Sequence, residues 1–318
     1  MEKKILVLGA TGSMGHYLTQ KLAADGHRVD GVSLDKPESK FPNLRYIQTP
    51  NAKDPAFIQE ITKNHYDAIV DFMTYPTVAF RETFPKFCSA TDQYVFISSC
   101  RVYANEENPI RENSPRLLDV SSDPEYLFSD DYSLYKARSE NALRASKFKN
   151  WTIVRPSTTY GRKIWHLLTL NRNQLVPCVK ENRPALLYEG AKNIPASLTW
   201  GGDVAEMIKR LLFKEEALCN DYNVTSNESL TWEEIARINQ NVFGLKVEWV
   251  DEETYYRFRD GYFDPKKSLP TIWQLRYARM FNRIYDTTKI LNATGLSQED
   301  FLTLAQGLER EKPTILGE

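Results

Sequence analysis

The sequence is short of cysteine, net charge and long apolar runs, and each shortage narrows what the chain can be. Its four cysteines among 318 residues are scattered, without the spacing of a metal site or a disulfide framework, which is typical of a reducing compartment. The formal net charge is −1, so no global basic field points to nucleic acid or a membrane surface. No apolar segment reaches the roughly 18 residues of a membrane span, and the first apolar run is too short for a signal peptide. We therefore expect a cytoplasmic protein with no metal and no membrane association, and the low net charge disfavours a nucleic-acid partner.

What the first half does contain is a regular alternation of strand and helix patterns. Short apolar runs of the buried-strand type occupy residues 5–8, 29–34, 44–48, 68–72 and 94–97, and helical patterns occupy residues 16–24 and 57–63. Such alternation predicts an α/β fold, a Rossmann-type doubly wound parallel sheet. Beyond residue 160 the alternation weakens. We expect a Rossmann domain over 1–160, with later crossings near 198–225, and a smaller, mainly helical substrate portion over 161–318.

A glycine-rich turn joins the first predicted strand to the first helix. Its pattern is Gly9-x-x-Gly12-x-x-Gly15, in which the glycines permit a tight turn, close approach to a pyrophosphate and close helix–strand packing. The candidate cofactor residues in this loop are Gly9, Thr11, Gly12, Ser13, Met14 and Gly15. The alternative is a purely structural glycine-rich turn that binds no ligand. The strand–loop–helix context favours a dinucleotide site.

The choice between the two nicotinamide cofactors depends on the end of the second strand. Asp35 lies twenty residues after Gly15, where an acid would bind a ribose 2′-hydroxyl. Lys36 follows it, and a basic residue there would suit a 2′-phosphate. The sequence favours NAD and leaves NADP open.

Tyr132 and Lys136 are spaced by about one helical turn, so both side chains leave the same helix face. A lysine ammonium in that place would lower the pKa of the phenol and make it a proton donor and acceptor near neutral pH. Spacing alone favours a solvated helix face, so this interpretation depends on its surroundings. Ser99 is a candidate neighbour of this pair, because it follows a predicted strand whose carboxyl end should face the ligand crevice.

Ser99, Tyr132 and Lys136 behind a glycine loop resemble the catalytic set of the short-chain dehydrogenase/reductase superfamily. The closer resemblance is to its extended branch, the NAD-dependent epimerase/dehydratase family that acts on nucleotide sugars. Further segments in matching order are Asn51-Ala52-Lys53-Asp54, Arg155-Pro156 to Tyr160-Gly161, Trp200 to Ala205, and Tyr222-Asn223-Val224 followed by Thr231.

The resemblance implies roles for particular residues. Tyr132 would be the acid/base, Lys136 would hold the cofactor ribose, and Ser99 would position the reacting oxygen. The cofactor would be bound by the glycine loop and Asp35, together with Asn51, Ala52, Tyr132, Lys136 and Pro156. Ser99, Arg101, Arg276 and Arg279 would contact the nucleotide sugar, although a helical lid with solvated charges explains the arginines equally well. Similar proteins commonly form homodimers, and the sequence leaves the oligomeric state open.

Departures from the family pattern narrow the chemistry. Cys100 and Arg101 stand where the 4,6-dehydratases carry an Asp-Glu pair, which disfavours dehydration. Asp71-Phe72-Met73-Thr74 replaces the usual Asn-rich element and resembles a subgroup that includes plant chloroplast stem-loop RNA-binding proteins. His166 could be a base but is more simply a packed histidine. We predict nucleotide-sugar epimerisation through a keto intermediate, with a ketoreductase or dehydrogenase, or a non-catalytic RNA-binding protein, as alternatives.

Overall fold

The computed structural model describes residues 1–264 and 269–318, and its centre is a seven-stranded parallel sheet. The strands of the chain are β1 (Lys4–Leu8), β2 (Arg28–Ser33), β3 (Leu44–Gln48), β4 (Ala68–Asp71), β5 (Tyr94–Ile97), β6 (Trp151–Pro156), β7 (Thr158–Tyr160), β8 (His166–Leu167), β9 (Leu170–Asn171), β10 (Ala185–Tyr188), β11 (Pro195–Ala196), β12 (Leu198–Trp200), β13 (Asn220–Val224), β14 (Leu230–Thr231) and β15 (Val247–Val250). The central sheet has the order β3-β2-β1-β4-β5-β6-β13. The strand order reverses beside β1, where open α/β sheets bind ligands.

Helices cover both faces of this sheet and build most of the second half. They are α1 (Gly15–Ala24), α2 (Pro55–Ile61), α3 (Thr77–Ser89), α4 (Leu117–Val120), α5 (Pro124–Phe128), α6 (Tyr132–Ala145), α7 (Arg172–Lys180), α8 (Gly201–Leu211), α9 (Trp232–Phe243), α10 (Glu252–Asp260), α11 (Leu269–Gln274), α12 (Thr288–Thr294) and α13 (Leu304–Leu316). A π-helical turn, Leu275–Arg279, extends α11. None of the helices within the described residues is long and apolar enough to cross a membrane.

The sheet strands are continuous apolar runs because both of their faces are buried. Ile5 and Val7 pack on one face against Leu18 and Leu22 of α1, whereas Leu6 and Leu8 pack on the other face with Phe80 and Phe87 of α3. Alternate side chains of one strand thus enter two separate cores. This double burial fixes the strand register, and with it the level at which the loops after β1, β4 and β5 meet.

The predicted fold class is confirmed, and the strands over 44–48 and 94–97 have the predicted bounds. The division of the chain at residue 160 remains a prediction. β13 nevertheless lies in the central sheet beside β6, and β12 pairs with β7 in parallel, so the second half returns to the first. A third core, which includes Trp165, Trp232 and Tyr255, fills the C-terminal portion.

Candidate active site

The glycine loop after β1 forms a tight turn against the start of α1. Gly9 has φ +80°, a left-handed conformation that glycine adopts without strain, and its N–H donates to the Val32 carbonyl at 2.9 Å. A Cβ on Gly15 would lie 2.2 Å from the Gly9 carbonyl oxygen. The first and third glycines therefore serve the turn and the packing, which leaves the loop at Gly12 open to a ligand.

A cavity of about 670 Å³ opens above this loop at the carboxyl ends of the strands. Nine of the predicted cofactor residues line it: Gly9, Thr11, Gly12, Ser13, Met14, Gly15, Asp35, Asn51 and Ala52. Residues that the sequence did not identify complete the wall: Val32, Ser33, Leu34, Thr49, Pro50, Lys53, Phe72 and Met73. Pro156 is not among the lining residues, because it ends β6 on the far side of β5.

The donors and acceptors of this cavity suit a dinucleotide. The loop opens helix α1, whose N-terminal N–H groups favour a pyrophosphate. Asp35 lies two residues past β2, where its Oδ1 accepts a 2.5 Å hydrogen bond from Thr11 Oγ1. That carboxylate is exposed in the cavity and can accept hydrogen bonds from ribose hydroxyls. The residues present therefore fit the group that the glycine pattern predicts.

Arg162, which the sequence analysis did not single out, closes one end of the glycine loop. Its Nη1 donates to the Thr11 carbonyl at 2.8 Å, and its backbone N–H donates to Glu311 Oε2 at 2.7 Å. Glu311 also accepts a 3.0 Å hydrogen bond from Trp200 Nε1. The last helix of the chain thus holds an arginine beside the loop where a pyrophosphate is expected.

Ser99 and Tyr132 lie together in a second, smaller cavity of about 260 Å³. Ser99 follows β5 and caps a short 3₁₀ turn, Cys100–Val102, by accepting the Arg101 N–H at 3.1 Å. Tyr132 is the first residue of α6, whose N-terminus is capped by Asp131 through the Ser133 N–H at 3.1 Å. Both hydroxyls are therefore fixed by helix starts that face the same space.

Lys136 lies between the two cavities, one turn after Tyr132. Its Nζ donates to the Ile97 carbonyl at 2.6 Å and to the Met73 carbonyl at 3.5 Å, and it sits 5.8 Å from the centre of the Tyr132 ring. Met73 lines the cofactor cavity, whereas Tyr132 lines the smaller one. Lys136 thus contacts one lining residue of each cavity.

The pKa of the Tyr132 phenol is raised, whereas the spacing to Lys136 predicted that it would be lowered. Burial raises the pKa of the Tyr132 phenol, and the interactions that oppose this rise come from the Ser99 hydroxyl and the Arg101 guanidinium. Lys136 directs its ammonium at two carbonyl oxygens and lies over the ring. Spacing along a helix shows that two side chains share a face, but it does not show how strongly burial disfavours the phenolate.

Asp71, the departure noted in the sequence, is a fully buried acid at the end of β4. It accepts hydrogen bonds from the Met73 N–H and the Tyr94 hydroxyl, each at 2.9 Å. Burial raises the pKa of Asp71 to about 6, and burial lowers the pKa of Lys136 to about 8. Each group favours the ionised form of the other, so this acid supports the charge of the lysine.

The predicted substrate arginines divide between the small cavity and the surface. Arg101 lines the cavity and pairs with Asp131 at 3.1 Å, and Arg279 lines it and donates to Thr158 Oγ1 at 2.6 Å. Arg276 is exposed and does not line the cavity, and its contact with the nucleotide sugar remains a prediction.

Comparison with known proteins decides the family. The model of the NAD-dependent epimerase/dehydratase family matches residues 5–224. This chain belongs to that family. The family consists of enzymes of the extended short-chain dehydrogenase/reductase type, as the resemblance implied.

Individual members of this fold are distant in sequence. The epimerase Mth375 of Methanothermobacter thermautotrophicus is 15% identical, with a TM-score of 0.74 over 99% of this chain and 93% of that one. The UDP-glucuronic acid 4-epimerase of Bacillus cereus, solved in complex with UDP-glucuronic acid and NAD, is 15% identical, with a TM-score of 0.71 over 98% of each chain. The chloroplast stem-loop binding protein of 41 kDa b from Arabidopsis thaliana is 24% identical over 85% of this chain and 70% of its own length.

Several residues of the small cavity were missed or left undecided by the sequence analysis. His166 lines it, and burial lowers the pKa of this imidazole to about 4, so it is neutral at neutral pH. Other lining residues not predicted for the substrate are Cys100, Ser157, Thr158, Thr159, Ala196, Ser197, Trp232, Gln274, Ala278, Arg283 and Tyr285. Those over 157–159 fall inside the matched Arg-Pro to Tyr-Gly segment, which was a usable signal. The others come from separate loops and helices that only the fold brings together.

Proposed function

We propose that this protein catalyses NAD-dependent epimerisation at a sugar carbon of a nucleotide sugar. The observation that carries the proposal is the arrangement of the two cavities around Lys136. The glycine loop and Asp35 line one, Ser99 and Tyr132 line the other, and Lys136 lies between them. A cofactor in the first and a sugar in the second would meet beside Tyr132.

Three residues, Ser99, Tyr132 and Lys136, have separate roles in the proposed reaction. Tyr132 would take the proton from the reacting sugar hydroxyl and return it at the end of the cycle. Ser99 would hold the same oxygen by hydrogen bonding. Bound NAD would supply a reversible hydride acceptor for the sugar carbon. Lys136, already held by two carbonyl oxygens, would contact the ribose hydroxyls and place positive charge beside Tyr132.

The positions that would carry acid and base in a dehydratase do not suit water elimination. The Cys100 thiol is buried, its Sγ donates to the Arg155 carbonyl at 3.1 Å, and burial raises its pKa to about 12. Arg101 is held in an ion pair with Asp131. Neither side chain can deliver or remove a proton as an Asp-Glu pair does, which favours oxidation and reduction without elimination.

NAD is the cofactor we propose, in keeping with the complexes of the Bacillus cereus relative with NAD. The exposed carboxylate of Asp35 would accept ribose hydroxyls and would repel a 2′-phosphate. A cytoplasmic location and a homodimer remain predictions.

The test is to incubate the protein with catalytic amounts of NAD and a panel of nucleotide sugars, and to separate the products chromatographically. An epimer formed without net NADH supports the proposal, and stoichiometric NADH would support the dehydrogenase alternative. Tyr132→Phe should lower turnover by about 10²-fold or more while NAD binding persists. Full activity of this variant would overturn the assignment of Tyr132.

RNA binding is the second candidate, and the Arabidopsis relative is the observation that favours it. Retention of RNA that weakens steeply with salt, without turnover of any sugar in the panel, would support it. The formal net charge of −1 weighs against a large phosphate footprint.

A further inference from the structure

The small cavity of Ser99 and Tyr132 carries an excess of positive charge. Three guanidinium groups line it, those of Arg101, Arg279 and Arg283. No aspartate or glutamate within residues 1–264 and 269–318 is among its lining residues. The Arg101 charge is balanced by Asp131 at 3.1 Å, but the other two have no carboxylate within salt-bridge distance in the described part of the chain.

Arg279 and Arg283 are held by neutral groups alone. Arg279 Nε donates to the Leu168 carbonyl at 3.0 Å, and its Nη1 donates to the Thr158 hydroxyl. Arg283 is only 7% exposed, its Nη2 donates to the Tyr103 carbonyl at 3.0 Å, and its Nη1 is buried with no hydrogen-bond partner among the described residues. Carbonyl oxygens orient a guanidinium but leave its charge in place.

A purely structural role explains this arrangement poorly. A buried charge without a counter-charge costs several kcal/mol, so buried arginines are ordinarily paired with acids. Here a buried Arg283 and a half-buried Arg279 share one cavity, and burial together with the neighbouring arginine charges lowers the pKa of Arg279 to about 10. His166 cannot offset them, because its imidazole is neutral at neutral pH. The missing counter-charge is best supplied by a ligand anion.

The size of the cavity indicates which part of the ligand carries that anion. Its volume of about 260 Å³ is below the roughly 300–1,000 Å³ of pockets that enclose a drug-sized molecule. It can therefore hold one sugar ring and its substituents, but not a whole nucleotide sugar. Thr158, which Arg279 contacts, shares this space with Ser99 and Tyr132. An anion at the arginines would thus belong to the ring on which the hydroxyls act.

We propose that the reacting sugar carries an anionic substituent, a carboxylate or a phosphate, that Arg279 and Arg283 bind. This inference rests on the proposed function, since it takes the cavity of Tyr132 as the sugar site. It makes the two arginines specificity-determining residues and assigns the substrate to the acidic sugars.

The test is isothermal titration of the NAD-loaded protein with two matched pairs of ligands. UDP-glucuronic acid and UDP-glucose differ at C6 by a carboxylate, and glucose 6-phosphate and glucose differ by a phosphate. In at least one pair the acidic member should bind about tenfold to a hundredfold more tightly, the gain typical of hydrogen bonds to a charged group. Equal affinity within both pairs overturns the inference, and this comparison needs only the wild-type protein.

Substitutions of single arginines identify which residues cause the preference for the acidic ligand. Arg279→Met and Arg283→Met should each remove most of it, whereas Arg276→Met, an exposed arginine of the same π-helical turn, should retain it. If Arg279→Met and Arg283→Met weaken both UDP-sugars equally, the arginines bind the nucleotide diphosphate and the inference is wrong. An acidic preference without turnover would contradict the proposed function alone, and turnover of neutral sugars without a preference would contradict this inference alone.

Discussion

Glu140 of α6 and Arg155 of β6 form a buried, two-point ion pair, with Nε–Oε1 at 2.7 Å and Nη2–Oε2 at 2.9 Å. Glu140 also accepts a 2.6 Å hydrogen bond from the Ser98 hydroxyl, next to Ser99. The pair thus joins the helix of Tyr132 and Lys136 to the ends of β5 and β6.

We expect Glu140→Gln to destabilise the fold by about 1.5–3 kcal/mol, because it removes one of the two carboxylates that balance the buried Arg155 charge and leaves Asp221, 2.8 Å from Arg155 Nη2, as the other. Urea unfolding measures this change. The matched control is Glu253→Gln, which breaks an exposed pair with Arg257 and should cost below about 1 kcal/mol. Equal losses in the two variants would show that the buried pair has no special role.

The same pair predicts an acid limit of stability. Burial raises the pKa of Glu140, but the Arg155 guanidinium and further cations overcome this and lower it to about 2, against an ordinary value of 4.5. A carboxyl with a lowered folded-state pKa stabilises the fold above its unfolded pKa and loses that contribution as the pH falls. Stability should therefore decline between about pH 4.5 and 2 in the wild type, with a smaller decline in Glu140→Gln. Parallel pH curves of thermal unfolding would contradict this.

The contributions of Asp71 and Lys136 to stability depend on pH in opposite directions. The raised pKa of Asp71, about 6, means that its contribution to stability is lost as the pH rises through 6. The lowered pKa of Lys136, about 8, means that its contribution is lost as the pH falls through 8. Near neutral pH both groups are ionised in the fold and each depends on the other.

Asp71→Asn should therefore lower the pKa of Lys136 further. Because the proposed reaction uses the Lys136 ammonium, the alkaline limb of the pH–rate profile should move to lower pH. The physical reason is the loss of the carboxylate charge that favours the ammonium form. Glu38→Gln, at an exposed site on the loop after β2, is a control that should leave the limb in place. An unshifted limb in Asp71→Asn would mean that this acid does not support Lys136.

Gly15→Ala tests the packing of the glycine loop. The added Cβ would lie 2.2 Å from the Gly9 carbonyl oxygen, which is backbone and cannot move alone, so the loop must shift. We expect a loss of about 1–3 kcal/mol of stability and a marked weakening of NAD binding. Gly12→Ala, whose Cβ would lie 3.3 Å from the same oxygen, should cost less stability. Thermal unfolding and titration with NAD measure both, and a reversed order would contradict the packing role.

Local sequence patterns predicted the sheet and the glycine loop well, for a physical reason. Strand β5 is a continuous apolar run with both faces buried, so its bounds are visible in the sequence itself. The substrate cavity was harder to predict, because Arg283 and Trp232 reach it from distant segments. The pKa of Tyr132 was misjudged because burial cannot be measured from a spacing of four residues.

Asp35 sets the expected cofactor preference. Its carboxylate is fixed by the 2.5 Å hydrogen bond from Thr11 and faces the cavity where an adenosine ribose would lie. Asp35→Asn should weaken NAD binding by about tenfold, the lower range for loss of a hydrogen bond to a charged group. NADP binding should hold or improve, because repulsion of a 2′-phosphate is removed. Lys36→Gln is the control, since it removes the adjacent charge and leaves the carboxylate in place. Titration with both cofactors decides the matter: if Asp35→Asn changes the affinities for NAD and NADP in the same proportion, the carboxylate does not distinguish the two riboses.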